Sequence, residues 1–344
     1  MSANFPQLLA RLLAGDTVGR EEMRAAFDAV LAGGWTPVQV GAFAVALRMR
    51  GETAEQITAA AEAMRSAMTA VDHAFPVVVD TCGTGGDGAH TLNISSAAAL
   101  VVAAAGYPVA KHGNRSVSSK SGSADVFEAL GVPLDVPPHR QADVLREVGI
   151  AFLFAPAHHP AMKNANQARR ELGARTIFNA LGPLANPARA THQLVGVYDE
   201  SLRAVAARAL GQLGTQRAWV VRSEDGLDEL SPSAPTRVAE LTADGEVRER
   251  SVVPEDFGLE RAPREAIAGG DSQTNARVLL AILEGEPHPA AGAVLLNAAG
   301  AIAVASGEGL RDSAERARVA IRSGAARETL ERWRRAALRA RGAS

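Results

Sequence analysis

Near the start of the chain Phe5, Leu8, Leu9, Leu12 and Leu13 fall at i, i+3, i+4, i+7 and i+8, one apolar face of a helix. Further on, Thr36-Pro37-Val38-Gln39 and Thr53-Ala54-Glu55-Gln56 both place a hydroxyl three residues before a glutamine, the capping-box spacing, and the first adds a proline at the opening position. With Gly34 and Gly51 as breaks, the pattern predicts helices over 18–32, 37–49 and 54–71. No chemically unusual side chain stands out among them. Amphipathic helices mostly pack, so a scaffold or dimerisation module is the expectation for this part.

From about residue 74 the period changes. Apolar runs at 75–79, 107–110, 150–154, 194–197 and 218–221 alternate with helical stretches such as 95–105 and 201–213. Such alternation predicts a mainly parallel sheet covered on both faces. The last hundred residues add a connection with prolines and acids near 254–264 and alanine-rich helices over 276–284, 290–306 and 327–341. The expected fold class is α/β, with a small all-helical N-terminal domain, residues 1–72, and a larger α/β domain, residues 73–344. Helices from about 160–185 are expected to join the helical part. Ligands of such sheets bind beyond the carboxyl ends of the strands, which directs attention to the loops that follow them.

Composition narrows the function. With 344 residues and 47% hydrophobic content the chain can bury a sizeable core, and 36 basic against 38 acidic residues leave a net charge of −2. No global field recruits nucleic acid or an anionic membrane, so neither is an expected partner, and any anion site must be local. The single cysteine, Cys82, excludes an intramolecular disulfide. With no apolar run of about 18 residues and no secretory leader pattern at the start, a cytoplasmic protein is expected.

The candidate chemistry lies in three loops. Gly83-Thr84-Gly85-Gly86-Asp87-Gly88 follows the run Val77-Val78-Val79 and reads as a phosphate cradle, four glycines letting backbone N–H groups approach an anion. Gly83, Gly85 and Gly88 also satisfy the dinucleotide fingerprint. In that motif the helix opens within the glycines and an acidic residue ends the next strand, whereas here residues 89–95 intervene and the next strand ends in Lys111-His112. A lysine there suits a phosphate rather than a ribose. The intervening Thr91-Leu92-Asn93-Ile94-Ser95-Ser96 brings hydroxyls to a helix start, where Ser95 and Ser96 can be N-caps, phosphate ligands or both. Between Lys111 and Asp125 lie two lysines, one arginine, five serines and almost nothing apolar, the donors a polyphosphate requires. Asp228-Glu229, close to Glu224 and Asp225, reads equally as an exposed acidic turn or a metal-binding pair. Cys82 has no neighbouring base and reads as a small buried residue.

These motifs together resemble the anthranilate phosphoribosyltransferases of tryptophan biosynthesis. The resemblance rests on G-T-G-G-D-G, N-I-S-S and K-H-G-N-R-S-V-S-S-K-S-G-S-A-D, with Leu47 to Thr53, His159 to Met162, Arg169 to Pro187, Gly226 to Glu229 and Leu295 to Ala299 in order, and covers about residues 5–320. It implies a transferase that moves the 5-phosphoribosyl group of phosphoribosyl pyrophosphate to the amine of anthranilate. Phosphoribosyl pyrophosphate would be held by Gly83, Gly86, Asp87, Thr91, Asn93, Ile94, Ser95, Ser96, Lys111, His112, Gly113, Asn114, Arg115, Ser116, Val117, Ser118, Ser119 and Ser123. Anthranilate would meet Gly83, Asn114 and Arg169. Magnesium, two ions per site, would be bound by Ser95, Asp228 and Glu229. His112 and His159 would line the site, no general base is assigned, and a homodimer through the helical domain is implied. Ser96 stands where many members carry Thr, and Arg222-Ser223 replace a more usual His-Gly. The alternatives are a pyrimidine-nucleoside-phosphorylase-like enzyme, which needs no acidic pair, and a non-catalytic nucleic-acid-binding relative, which wants a basic surface.

Overall fold

A computed structural model describes residues 4–116 and 120–342; Val117, Ser118 and Ser119 lie outside the described residues. The chain opens with four helices, α1 (Phe5–Ala14), α2 (Arg20–Leu31), α3 (Pro37–Arg50) and α4 (Ala54–Ser66). Both capping boxes form. The Gln39 N–H donates to Thr36 Oγ1 at 3.3 Å while the Thr36 N–H donates to Gln39 Oε1 at 2.9 Å, and Thr53 and Gln56 repeat the exchange. Each cap is worth about 1 kcal/mol of helix stability. The fourth helix ends at Ser66 instead of continuing to 71, because Thr69 and Val71 donate their N–H groups to the carbonyls of His158 and Pro187.

The expected face of α1 holds only in part. Leu8 and Leu12 are buried, but Leu13 is 75% exposed, and on the adjoining α3 Val38 and Met49 are likewise exposed. The core of this region is aromatic, with Trp35 edge-on to both Phe5 and Phe43 at 5.2 Å between centroids.

After β1 (Val79–Asp80), the order is α5 (Ile94–Ala104), β2 (Val109–Gly113), α6 (Ser123–Ala129), α7 (Gln141–Val148), β3 (Ile150–Phe154), α8 (Ala155–His158), α9 (Lys163–Leu172), α10 (Ile177–Leu184), β4 (His192–Gly196), α11 (Leu202–Gln212) and β5 (Arg217–Ser223). An antiparallel hairpin, β6 (Thr236–Leu241) and β7 (Val247–Val252), extends the sheet, and α12 (Ser272–Leu283), α13 (Ala291–Ser306), α14 (Leu310–Arg322) and α15 (Ala325–Gly342) complete the chain. The seven strands run in the order β3-β2-β1-β4-β5-β6-β7, the first five mutually parallel. The expected strand at 75–79 shrinks to two residues. The Val78 N–H is taken by Thr191 Oγ1, and the Val78 carbonyl receives the N–H groups of both Thr191 and His192.

Both faces of the sheet are covered, as β5 illustrates. Trp219 and Val221 pack with α5 and α13 in one apolar cluster, while Ala218 and Val220 pack with α11 in another. The second cluster continues into α1–α4 and takes in Ala165, Ala168, Ile177, Phe178 and Leu181 of α9 and α10. Among the described residues no single helix is long and apolar enough to cross a membrane. The bent pair α13–α14 has the combined length, but α13 is buried in the first cluster.

Candidate active site

Strand order reverses at β1, which has β2 on one side and β4 on the other; the carboxyl ends beside it form the switch-point crevice where ligands of such sheets bind. The glycine loop leaves β1 there and is fastened to the end of β4. The Thr84 N–H donates to the Gly196 carbonyl at 2.8 Å and the Tyr198 N–H to Thr84 Oγ1 at 3.0 Å. Backbone fits backbone closely here. A Cβ on Gly83 would lie 3.2 Å from Asp228 Oδ2, and one on Gly196 would come within 1.5 Å of the Asp228 carbonyl oxygen.

The acidic pair is therefore no exposed turn. Asp228 and Glu229 are half-buried beneath the glycine loop, and the Asp228 N–H donates to Asp87 Oδ2 at 3.4 Å while the other oxygen of Asp87 accepts from the Ala89 N–H at 2.9 Å. Asp87 thus ties its own turn to the acidic segment. Glu229 Oε1 accepts from the Ser95 N–H at 3.2 Å, placing a carboxylate at the free N–H groups opening α5. Burial and the charge of Asp87 raise the Asp228 carboxyl well above the ordinary range. Burial and Asp228 raise Glu229, with Lys111 pulling the other way. Clustered acids held against their own repulsion call for a cation.

Among the described residues no group of three or more His, Cys, Asp or Glu side chains is arranged to hold an ion by itself. Two carboxylates at one loop, short of a full set, are what magnesium accepts when water and phosphate oxygens supply the remaining ligands.

Neither serine caps α5. Ser95 Oγ faces Lys111 Nζ at 3.4 Å, and Ser96 Oγ is buried without a partner among the described residues. Asn93, the residue before the helix, is held by Ser121 and Asn275. Lys111 is 2% exposed, its ammonium donating to the carbonyl and hydroxyl of Thr81 at 3.2 Å, so its charge is delivered to the crevice from inside the sheet. Beneath it Asp80 is fully buried and accepts from the His112 N–H at 3.2 Å and from Asn186 Nδ2 at 2.7 Å. Burial pushes the Asp80 carboxyl up to about 6, against the opposing pull of Lys111 and these donors.

The serine-rich run divides. The Asn114 carbonyl accepts from the Ala124 N–H and from Ser123 Oγ. Arg115 turns outward to Asp125 at 2.8 Å and Glu128 at 2.9 Å, while Asp125 also takes the N–H groups of Ser116 and Gly122. Thr91 is bridged to Ala268.

His112 and His159 face each other with ring centroids 5.1 Å apart, both buried. His112 Nδ1 bonds the Gly182 carbonyl at 2.9 Å, and the Nε2 atoms of both rings are buried without partners among the described residues. Burial and the neighbouring His159 drive His112 well below the ordinary imidazole range, while burial and His158 lower His159 to about 4. Both rings are neutral near pH 7. Arg169 on α9 is half-buried, 6.0 Å from the Phe178 ring, and pairs with no carboxylate among the described residues, whereas Arg170 is exposed. Cys82 is half-buried, and burial raises its thiol further, so it stays protonated. Sequence reasoning passed over Asp80, although it ends the strand that feeds the glycine loop. Thr81, Asn186 and Arg175 were also missed; only Arg175, a lone cation in Gly173-Ala174-Arg175-Thr176, gave any local signal.

The family description "Glycosyl transferase family, a/b domain" matches residues 76–327, and "Glycosyl transferase family, helical bundle domain" matches residues 6–68. The chain is 52% identical over 325 residues to the anthranilate phosphoribosyltransferase of Myxococcus xanthus, covering 94% of this chain and 96% of that one. The crystal structure of anthranilate phosphoribosyltransferase from Thermus thermophilus superimposes with a TM-score of 0.91 at 41% identity, covering 96% of this chain and 99% of that one. The Saccharomyces cerevisiae enzyme in complex with PRPP and Mg gives a TM-score of 0.90 at 28% identity, covering 98% and 99%.

Proposed function

From the premise that the chain belongs to the anthranilate phosphoribosyltransferase family, we propose that the crevice at the β1–β4 switch point is its active site and assign its residues as follows. The reaction is transfer of the 5-phosphoribosyl group from phosphoribosyl pyrophosphate to the amine of anthranilate, with release of pyrophosphate, in tryptophan biosynthesis. Gly83, Gly86, Asp87, Thr91, residues 93–96, residues 111–119 and Ser123 hold phosphoribosyl pyrophosphate, Arg115 joining by exchanging an acidic partner for a phosphate. Ser95, Asp228 and Glu229 hold magnesium, two ions per site. Bound there, magnesium would offset charge growing on the departing pyrophosphate.

The protein's own groups do the rest. Lys111 adds a buried positive charge on the leaving-group side, and loop N–H groups add fixed dipoles. Arg169 pairs with the anthranilate carboxylate, and Gly83 and Asn114 line the same subsite. The amine attacks C1 through an oxocarbenium-like state and inverts it. The C1–O bond breaks with its electron pair going to pyrophosphate, and the surplus N–H proton passes to water or to the departing pyrophosphate. An aromatic amine is weakly basic and already carries a free lone pair. His112 and His159, held neutral by burial, line the subsite as acceptors and leave the reaction without a general base.

The observation that carries this reading is the position of Asp228–Glu229 against the glycine loop, with the Asp228 N–H bonded to Asp87 and Glu229 bonded to the Ser95 N–H at the start of α5. The experiment follows anthranilate fluorescence with phosphoribosyl pyrophosphate and a magnesium titration. Arg169→Ala should raise the anthranilate KM, and Asp228→Asn should shift or abolish the magnesium dependence. An unchanged magnesium profile would sink the metal assignment.

Three coarser features complete the proposal. Residues 1–72, joined by helices from about 160–185, form one domain and 73–344 the other; packing of α9 and α10 with α1–α4 supports the joining, although the same apolar cluster runs on into β4, β5 and α11. The exposed Leu13, Val38, Val45 and Met49 on α1 and α3 offer an apolar face for a homodimer, testable by sedimentation of Met49→Glu. A cytoplasmic location fits the single free thiol.

A further inference from the structure

We propose that Arg175 is a substrate-binding residue that reaches from the α9–α10 connection to the glycine loop and presents its N–H donors to an anionic group of a bound substrate. Its backbone is fixed. Thr176, the next residue, is buried and exchanges hydrogen bonds with Asn179, the Thr176 N–H donating to Asn179 Oδ1 at 3.0 Å as α10 begins. The side chain is exposed yet not adrift. Its guanidinium carbon lies 4.5 Å from the centroid of the Tyr198 ring, and Tyr198 is bonded through its N–H to Thr84 of the glycine loop.

The loop makes room for it. A Cβ on Gly86 would lie 3.1 Å from Nη2 and 3.4 Å from both Cζ and Nε of Arg175. Three nearly equal distances mean that the guanidinium lies broadside on the loop backbone. Gly86 also has φ +77°, so a side chain there would be strained by conformation and would press the guanidinium off the loop.

The guanidinium is thus held through its planar surface, and its hydrogen-bonding edge is not spent. Among the described residues Arg175 forms no ion pair and no hydrogen bond, whereas nearby arginines do. Arg48 pairs with Asp199, and Arg203 pairs with Glu200 and Glu249. Stacking on a tyrosine alone would not require a glycine beneath the cation or a position against a phosphate-binding loop. A pre-oriented fork of donors with no acceptor suits a carboxylate or a phosphate. Both are present in this reaction, the first on anthranilate and the second on phosphoribosyl pyrophosphate.

The inference rests on assigning the glycine loop to substrate, and the test separates the two. Steady-state kinetics of Arg175→Gln and Arg175→Lys are measured with each substrate varied in turn, alongside thermal unfolding and the Asp228→Asn variant. Loss of a charge-assisted hydrogen bond should raise one KM by about tenfold to a hundredfold in Arg175→Gln, with partial recovery in Arg175→Lys and unchanged Tm. A raised anthranilate KM identifies the carboxylate, and a raised phosphoribosyl pyrophosphate KM identifies a phosphate. Both KM values unchanged while Asp228→Asn is impaired would overturn the role of Arg175 and leave the site standing. Wild-type kinetics in Asp228→Asn would remove the site assignment itself, and the role of Arg175 with it.

Discussion

Asp225 and the pair Asp228–Glu229 are three residues apart in one loop, yet their surroundings have opposite effects. Burial pushes Asp225 up, but the hydroxyls of Ser223, Ser233 and Ser231 and the charge of Arg264 more than undo it, and its carboxyl ends below the ordinary range. The bonds from Ser231 and Ser233 measure 2.7 and 2.6 Å. Asp228 and Glu229, half-buried beside each other and beside Asp87, have few donors to compensate and are raised. Donor supply decides the difference. A carboxylate with its lone pairs filled by serines holds a loop together, while carboxylates short of donors are primed to receive a cation.

The sharpest way to break this comparison is Asp228→Asn combined with Glu229→Gln. It should lower kcat/KM by roughly a hundredfold or more, on the scale of losing one preorganised electrostatic group, measured by anthranilate fluorescence. Asp225→Ala should act on stability instead. It should cost about 1–2 kcal/mol in urea denaturation, solvent screening keeping the loss modest, with kinetics per folded molecule retained.

The pH dependence of stability should carry opposite signs for the two. Asp228 and Glu229 are raised in the folded chain, so it holds more protons than the unfolded chain above about pH 4, and their contribution declines as pH climbs toward their raised values. Asp225 is lowered, so its contribution is present above its unfolded value and is lost as pH falls. Magnesium-free melting curves should lose their downward slope between about pH 4 and 8 in the Asp228/Glu229 variant and soften their slope at lower pH in Asp225→Ala. The smallest effect is expected from Ser95→Ala, which should raise the magnesium concentration for half-activation about twofold to fivefold.

Much of this was legible in the chain. The capping boxes of α3 and α4 announced themselves because their bonds are local, and the glycine and serine-rich loops stood out because they bury nothing apolar. The hairpin β6–β7 was missed because β7, Val-Arg-Glu-Arg-Ser-Val, is an edge strand with solvated side chains and offers no apolar run, although Asp244-Gly245 marks its turn. The amphipathic α14 was also passed over, lying between alanine-rich neighbours that drew the eye. At the site, Lys111 could be picked out by type, but nothing in its sequence context predicts a lysine buried within a strand. Asp228–Glu229 and Asp225 could not be told apart, because the serines and the glycine loop that distinguish them are brought together only by the fold. The same holds for Arg175, whose relation to Gly86 spans 89 positions.

Gly196 ends β4 where any side chain would collide with the Asp228 carbonyl. In heritable terms this makes the position a sentinel. A chain that drifts there must displace the acidic loop, and catalysis would register the change before the sheet did. A saturation library selected for growth without tryptophan should therefore show position 196 fixed as glycine even under conditions that tolerate substitutions throughout the buried faces of β4 and β5.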